Sequence, residues 1–154
     1  MARPSAKTLD RGVLPSLLGY VLRRAQSAVF DDFANTFAKA GEALTPGEFG
    51  LLVLVEANAG LSQMALARAL GIDRSTLVPI LDRLQARGLL VRRSSPTDGR
   101  THALGLTPAG EKALARFARL VKAHEKRIAS GLSASETRAL IALLEKVRAS
   151  ARSL

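Results

Sequence analysis

The chain has 154 residues, 47% of them hydrophobic, with 23 basic and 13 acidic side chains and no cysteine. That length and apolar share suffice for one domain with a real core, and charges interrupt every apolar run well before the roughly 18 residues of a membrane span. With no signal-peptide pattern either, a soluble cytoplasmic protein is expected. The missing cysteines exclude disulfides and thiolate chemistry, and His102 and His124 are too few imidazoles for a structural zinc site, so no metal or cofactor is expected.

The formal net charge of +10 favours polyanionic partners. Its distribution is uneven: residues 1–61 carry six basic and six acidic side chains, residues 62–110 seven and three, residues 111–154 ten and four. Aromatic residues make up 4% of the chain, with none between Phe49 and Phe117, which argues against the stacking platforms that bind single strands. No nucleophile with its base, phosphate-binding loop or metal cluster is found, so an enzyme is not expected.

Residues 1–12 mix Pro, Ser, Lys and Arg and read as a loose arm. Leu14, Leu17, Leu18, Val21, Leu22, Ala25, Val29, Phe33 and Phe37 then predict a long amphipathic helix ending near Gly41. Thr45-Pro46-Gly47-Glu48 is a capping box with proline at the first helical position; it opens a helix through Phe49, Leu52, Val53 and Leu54 to about Asn58, ended by Gly60.

Residues 62–107 carry the most information. A helix over Ser62 to Leu70 meets Gly71, which permits a sharp turn, and Asp73 caps a second helix running to about Gly88. At 100° per residue, Leu77, Ile80, Leu81 and Leu84 share one face of that second helix. Ser75, Pro79, Asp82 and Ala86 point the other way, flanked by Thr76 and Arg83. A small polar face of this kind fits a DNA major groove about 12 Å wide. Pro79 removes a backbone bond to the carbonyl of Ser75, so a local bend is expected there. Beyond Gly88, Leu89 to Arg93 and Arg100 to Leu106 read as two strands joined by a Ser-Ser-Pro-Thr-Asp-Gly turn. Arg92 and Arg93 suit phosphates, and Arg100, just past the turn, suits a minor groove.

Thr107-Pro108 opens another long helix, through Leu114, Phe117, Val121, His124 and Ile128, which Gly131 breaks. Ser133-Ala134-Ser135-Glu136 caps a last helix bearing Leu140, Ile141, Leu143, Leu144 and Val147.

The helix-turn-helix followed by a basic hairpin resembles the MarR family of winged-helix transcriptional regulators. Asp98-Gly99-Arg100 and Leu106-Thr107-Pro108-Ala109-Gly110 look like that family's wing signature, a D-x-R followed by L-T-x-x-G, although Gly99 stands where a basic residue is frequent. The likeness extends over roughly residues 13–150. It implies a mainly α fold with a small β-wing, the winged lobe at about 45–108 and dimerisation helices at about 9–30 and 115–150. It also implies a homodimer on a palindromic duplex, usually as a repressor and often released by a small ligand. By this resemblance Arg74, Ser75, Thr76 and Pro79 match recognition-helix positions, and Arg100 the wing-tip arginine. The terminal helices are too apolar for a monomer of this size to bury, which independently favours two-fold association.

The same resemblance implies a ligand cavity between the outer helices and the winged lobe, lined here by Leu17, Tyr20, Val21, Arg24, Phe30, Phe49, Val53 and His124. A hydroxyl, an imidazole and a guanidinium beside an apolar cavity suit an aromatic carboxylate or its coenzyme A thioester. A lone histidine on an apolar stripe equally suits a hydrogen-bonded core. The basic ladder Lys112, Arg116, Arg119, Lys122 and Lys126 reads either as a phosphate-carrier contact or as a solvated helix face. The motif Leu18 to Gln26 is similar to members controlling aromatic-acid catabolism. The competing expectation is a basic architectural protein that binds duplex without sequence preference and without ligand control.

Overall fold

A computed structural model describes residues 9–58, 60–94 and 102–152. A 3-10 turn at Leu14–Ser16 precedes α1 (Leu18–Lys39), α2 (Pro46–Ala57), α3 (Gln63–Leu70), α4 (Arg74–Ala86), β1 (Leu90–Ser94), β2 (His102–Leu106), α5 (Pro108–Ile128) and α6 (Ala134–Arg152). The mainly α class with a small β-wing is the one expected. The first strand runs one residue later than expected, Leu90–Ser94, and the start of the first long helix differs too. Leu17 takes an extended backbone with φ −88° and ψ 119°, so the first long helix starts at Leu18 and leaves Pro15 in a separate turn, near a start where its missing N–H is tolerated.

Five helix starts use the caps legible in the chain. Thr45 Oγ1 accepts from the Glu48 amide at 3.2 Å while Glu48 Oε2 accepts from the Thr45 amide at 2.8 Å, a complete capping box. Ser133 and Glu136 repeat that exchange at 3.2 and 2.8 Å. Ser62, Asp73 and Thr107 each accept one amide of the following turn, from Ala65, Thr76 and Gly110.

The apolar faces converge on one core. Phe33 and Phe37 of α1 stack at 4.6 Å and meet Phe117 of α5, whose ring lies 5.6 Å from that of Phe37. Leu51, Leu52 and Val55 of α2, Leu66 of α3, and Leu77, Leu81 and Leu84 of α4 close the same cluster, with Leu89, Leu90 and Leu104 from the wing base. The strands pair antiparallel from Leu90 opposite Leu106 to Ser94 opposite His102. A bridge between Ser62 and Ala103, and a bond from the Leu104 amide to the Leu61 carbonyl at 3.2 Å, fasten the wing to the start of α3.

The junction after the wing explains the threonine-to-glycine spacing of the signature. Thr107 donates its amide to the Leu89 carbonyl at 3.1 Å and its hydroxyl to the Gly88 carbonyl at 2.6 Å. The first turn of α5 then lies so close to the chain that a Cβ at Gly110 would stand 2.0 Å from the Leu89 oxygen.

Among the described residues of α6 none is buried within the single chain, and Leu140, Ile141, Leu143 and Leu144 remain exposed, as do Leu17, Leu18 and Val21 around the start of α1. Among the described residues, no helix is long and apolar enough to cross a membrane.

Gly110→Ala is expected to destabilise the fold by ~1–3 kcal/mol, because main chain rather than a movable side chain blocks the added methyl. Urea unfolding at constant slope reads the loss as a lower midpoint. Gly105→Ala, whose Cβ meets only the Val91 side chain at 3.8 Å, serves as control, and equal midpoints for the two variants would contradict the close approach.

Candidate nucleic-acid interface

Gly71 ends α3 in the left-handed region, at φ 67°, and the Ile72 amide returns to the Ala67 carbonyl at 3.1 Å. This short turn brings α4 across α3. Leu77, Leu81 and Leu84 face inward, whereas Arg74, Ser75, Thr76, Pro79, Asp82, Arg83 and Ala86 are exposed along the other side. The helix runs unbroken through Pro79 to Ala86, so the proline does not end it.

The amino end of this face is polar and ordered. Asp73 Oδ1 accepts from the Ser75 hydroxyl at 2.5 Å and from the Thr76 amide at 3.0 Å. These bonds, the Ser75 hydroxyl foremost, hold the Asp73 carboxyl below its ordinary range, and the anion sits at the positive end of the helix. Ser75 is thereby engaged in the cap, while Arg74, Thr76 and Pro79 are exposed beside it.

Farther along, two arginines expected to meet DNA have partners within the chain. Arg83, with its side chain 57% exposed, donates from Nε to Glu48 Oε1 at 3.2 Å. Arg92, 28% exposed, pairs through Nη2 with Asp82 at 2.5 Å, and its Nε is buried without a hydrogen-bond partner among the described residues. Arg93 stands on β1 opposite Ala103. Arg100 lies outside the described residues. A further anchor had no signal in the sequence: Arg87 Nη1 donates to the Ala43 carbonyl at 2.7 Å, 44 residues away in the chain.

The expected ligand residues fall into two groups. Leu17, Tyr20, Val21 and Arg24 lie at or near the start of α1, with the Arg24 guanidinium 5.8 Å from the centre of the Tyr20 ring. Leu17, Val21, Phe30 and Val53 are exposed apolar side chains, and Phe49 is half-buried. His124 is separate from Tyr20 and Arg24. It is 2% exposed, its ring stands edge-on to Phe33 at 5.4 Å, and its Nδ1 lies 2.7 Å from Asp32 Oδ2. Asp32 lies twelve positions after Tyr20 on α1, about 18 Å along a helix.

Asp32 also accepts from Arg127, at 2.8 Å through Nη2 and 3.3 Å through Nε, and Arg127 bonds the Thr36 hydroxyl. Hydrogen bonds from Arg127 first and His124 second pull the Asp32 carboxyl down to about 2. The cluster joins α1 to α5 by charge beside the aromatic stack. Among the described residues, no group of His, Asp and Glu side chains is arranged to hold a metal ion.

A helix presented outward beside a two-stranded wing, between long outer helices, defines a winged helix-turn-helix protein. Residues 44–101 match the family model described as MarR family. The chain is 42% identical over 139 residues to a protein assigned as the transcriptional regulator for an hcr operon in Thauera aromatica, an alignment covering 90% of this chain and 83% of that one. Among solved structures, the transcriptional repressor CouR bound to a 23-mer DNA duplex superposes with a TM-score of 0.86 at 43% identity, covering 92% of this chain and 99% of that one. CouR bound to p-coumaroyl-CoA gives 0.83 at 42% identity, covering 91% and 97%. This chain belongs to the MarR family.

The lowered Asp32 carboxyl has a signed consequence for stability. A depressed native value contributes stability that is complete above the unfolded value near 3.8 and is lost as pH falls toward about 2. Asp32→Asn is therefore expected to melt below the wild type at neutral pH, with the gap narrowing as pH drops from about 5 to about 2. A gap that stays constant over that window would show that charge on Asp32 does not join the two helices.

Proposed function

We propose that this protein is a homodimeric transcriptional repressor that binds a palindromic duplex operator and is relieved by an aromatic carboxylate or aromatic acyl-CoA. The observation that carries the reading is the outer face of α4: exposed, narrow and polar, with no large side chain between Thr76 and Asp82 apart from the half-buried Val78 and Ile80 and the ring of Pro79. Such a face enters a major groove without clashing with base edges. In this reading Arg74, Thr76 and Pro79 meet the bases and Ser75 holds the cap that aims them. Arg83, Arg93 and Arg100 meet phosphates or the minor groove, and Arg92 works through Asp82.

Dimerisation through the regions at about 9–30 and 115–150 accounts for the apolar side chains that the single chain leaves exposed on α1 and α6. Two-fold symmetry then sets two α4 helices about 34 Å apart, on successive major grooves. Likeness to CouR in its DNA and p-coumaroyl-CoA complexes supports both the repressor role and the ligand class. For the ligand, Tyr20 and Arg24 offer a hydroxyl and a cation beside Leu17 and Val21, while His124 serves to hold α1 on α5.

Sequencing the genomic fragments retained by the purified protein identifies the operator, and fluorescence anisotropy on that duplex and on a scrambled one measures preference. A repressor prefers its operator by roughly 10³-fold or more, whereas an architectural binder holds both alike. Thr76→Ala is expected to cost ~1–3 kcal/mol on the operator and little on scrambled DNA; equal losses on both would reduce Thr76 to a phosphate contact.

The ligand reading has its own test. An aromatic acyl-CoA is expected to weaken operator binding, and saturating operator to weaken acyl-CoA binding by the same factor, a coupling of ~1–3 kcal/mol. Calorimetry with and without the duplex measures it, and identical ligand affinities in the two states would remove induction by this class.

A further inference from the structure

We infer that Glu48, on α2, is a positioning residue for DNA recognition: its buried carboxylate fixes Arg83 at the edge of the reading face and thereby sets how α4 meets its operator. The inference rests on the DNA-binding reading above and names a residue that reading does not use.

Glu48 is only 5% exposed, and both of its oxygens are committed, Oε2 to the Thr45 amide at 2.8 Å and Oε1 to Arg83 Nε at 3.2 Å. A capping box needs one oxygen and no full charge, so glutamine serves there as well. A buried carboxylate, in contrast, is costly unless a cation meets it. The second oxygen and the charge are therefore accounted for by Arg83. Nε is the atom held, and the side chain stays 57% exposed, so the terminal nitrogens, which make no other bond among the described residues, are available to a phosphate.

Packing does not do the same work at this edge of α4. Arg83 and Arg87 line, together with Phe37 and Leu44 of the facing elements, a cleft of about 630 Å³. The links across it are polar: Arg83 to Glu48, and one helical turn later Arg87 to the Ala43 carbonyl at 2.7 Å and to Glu42 at 3.9 Å. Arg116 of α5 meets Glu42 from the other side at 2.5 Å. The carboxyl half of α4 thus hangs from the segment 42–48 by side-chain bonds, and its inner face alone is set by the leucine core. A charge on α2, off the DNA-facing side, then governs the presentation of a cation on α4.

The test measures binding of the full-length protein to operator and scrambled duplexes over a series of salt concentrations, with Glu48→Gln, Arg83→Ala, their double variant and Arg83→Lys. Wild type must first discriminate operator from scrambled DNA; if it does not, the DNA-binding reading fails, and that failure is separate from this one. Given discrimination, Glu48→Gln is expected to lower operator affinity about fivefold while scrambled DNA is bound as well as before or better, since an anion near the phosphates has been removed. Arg83→Ala weakens both duplexes and reduces the salt slope by about one contact. In the double variant the Glu48 effect disappears, because the residue it positions is gone. Arg83→Lys keeps the charge and loses the planar edge, so it retains scrambled affinity and loses operator preference even if Glu48→Gln does not fold. Additive losses in the double variant, equal losses on the two duplexes for Glu48→Gln, or undiminished operator preference in Arg83→Lys would each overturn the assignment.

Discussion

The contact on which the rest of the structure depends is made by main chain: the first turn of α5 lies against the Leu89 carbonyl, with a glycine where any Cβ would collide. Leu89 sits where α4 has just ended and β1 is about to begin. Thr107 ties the same point from the far side of the hairpin through its amide and hydroxyl. The exit of α4, the base of the wing and the entry of the long outer helix are thereby locked within a few ångströms. α5 then carries Leu114 and Phe117 into the core and His124 and Arg127 to α1, so the course of α5 starts from one close approach at the base of the wing.

Against that rigid junction, the face turned outward is governed by short polar links. Asp73, Asp82 and Glu48 lie on or beside α4, an arrangement that would repel phosphates if they stood free. None does. Asp73 is held by Ser75 and the Thr76 amide at the helix start, Asp82 by Arg92 from the wing strand, and Glu48 by Arg83. Each anion fixes a neighbour's geometry while its own charge is offset, which leaves the positive excess of the lobe to act on a polyanion at longer range.

Much of this architecture is local chemistry and was readable from the chain. The caps at Thr45, Ser62, Asp73, Thr107 and Ser133 depend on residues three apart, and the inward leucines of α4 on a period of 3.6, so both are written within one or two turns. The turn at Gly71 is likewise local. What the sequence did not disclose are contacts between distant segments: Glu48 with Arg83 across 35 residues, Arg87 with Ala43 across 44, His124 with Asp32 across 92. His124 illustrates the difference. Its place on an apolar stripe was evident, but whether a ligand or a carboxylate met it depended on the register of α1 against α5, which no periodicity encodes. The extended backbone at Leu17 was also unannounced, since no side-chain cap marks it.

The bare apolar side of α6 has a consequence for how the molecule comes to exist. A helix with no fully buried side chain among its described residues gains little from folding alone, because most helical stability in proteins comes from packing an apolar face against other elements. In the dimer proposed above, its completion is a bimolecular event, governed by how often two chains meet. Dilution then acts as a denaturant: the unfolding temperature climbs with protein concentration, and a cell that lowers the number of copies weakens each surviving copy as well as reducing their total.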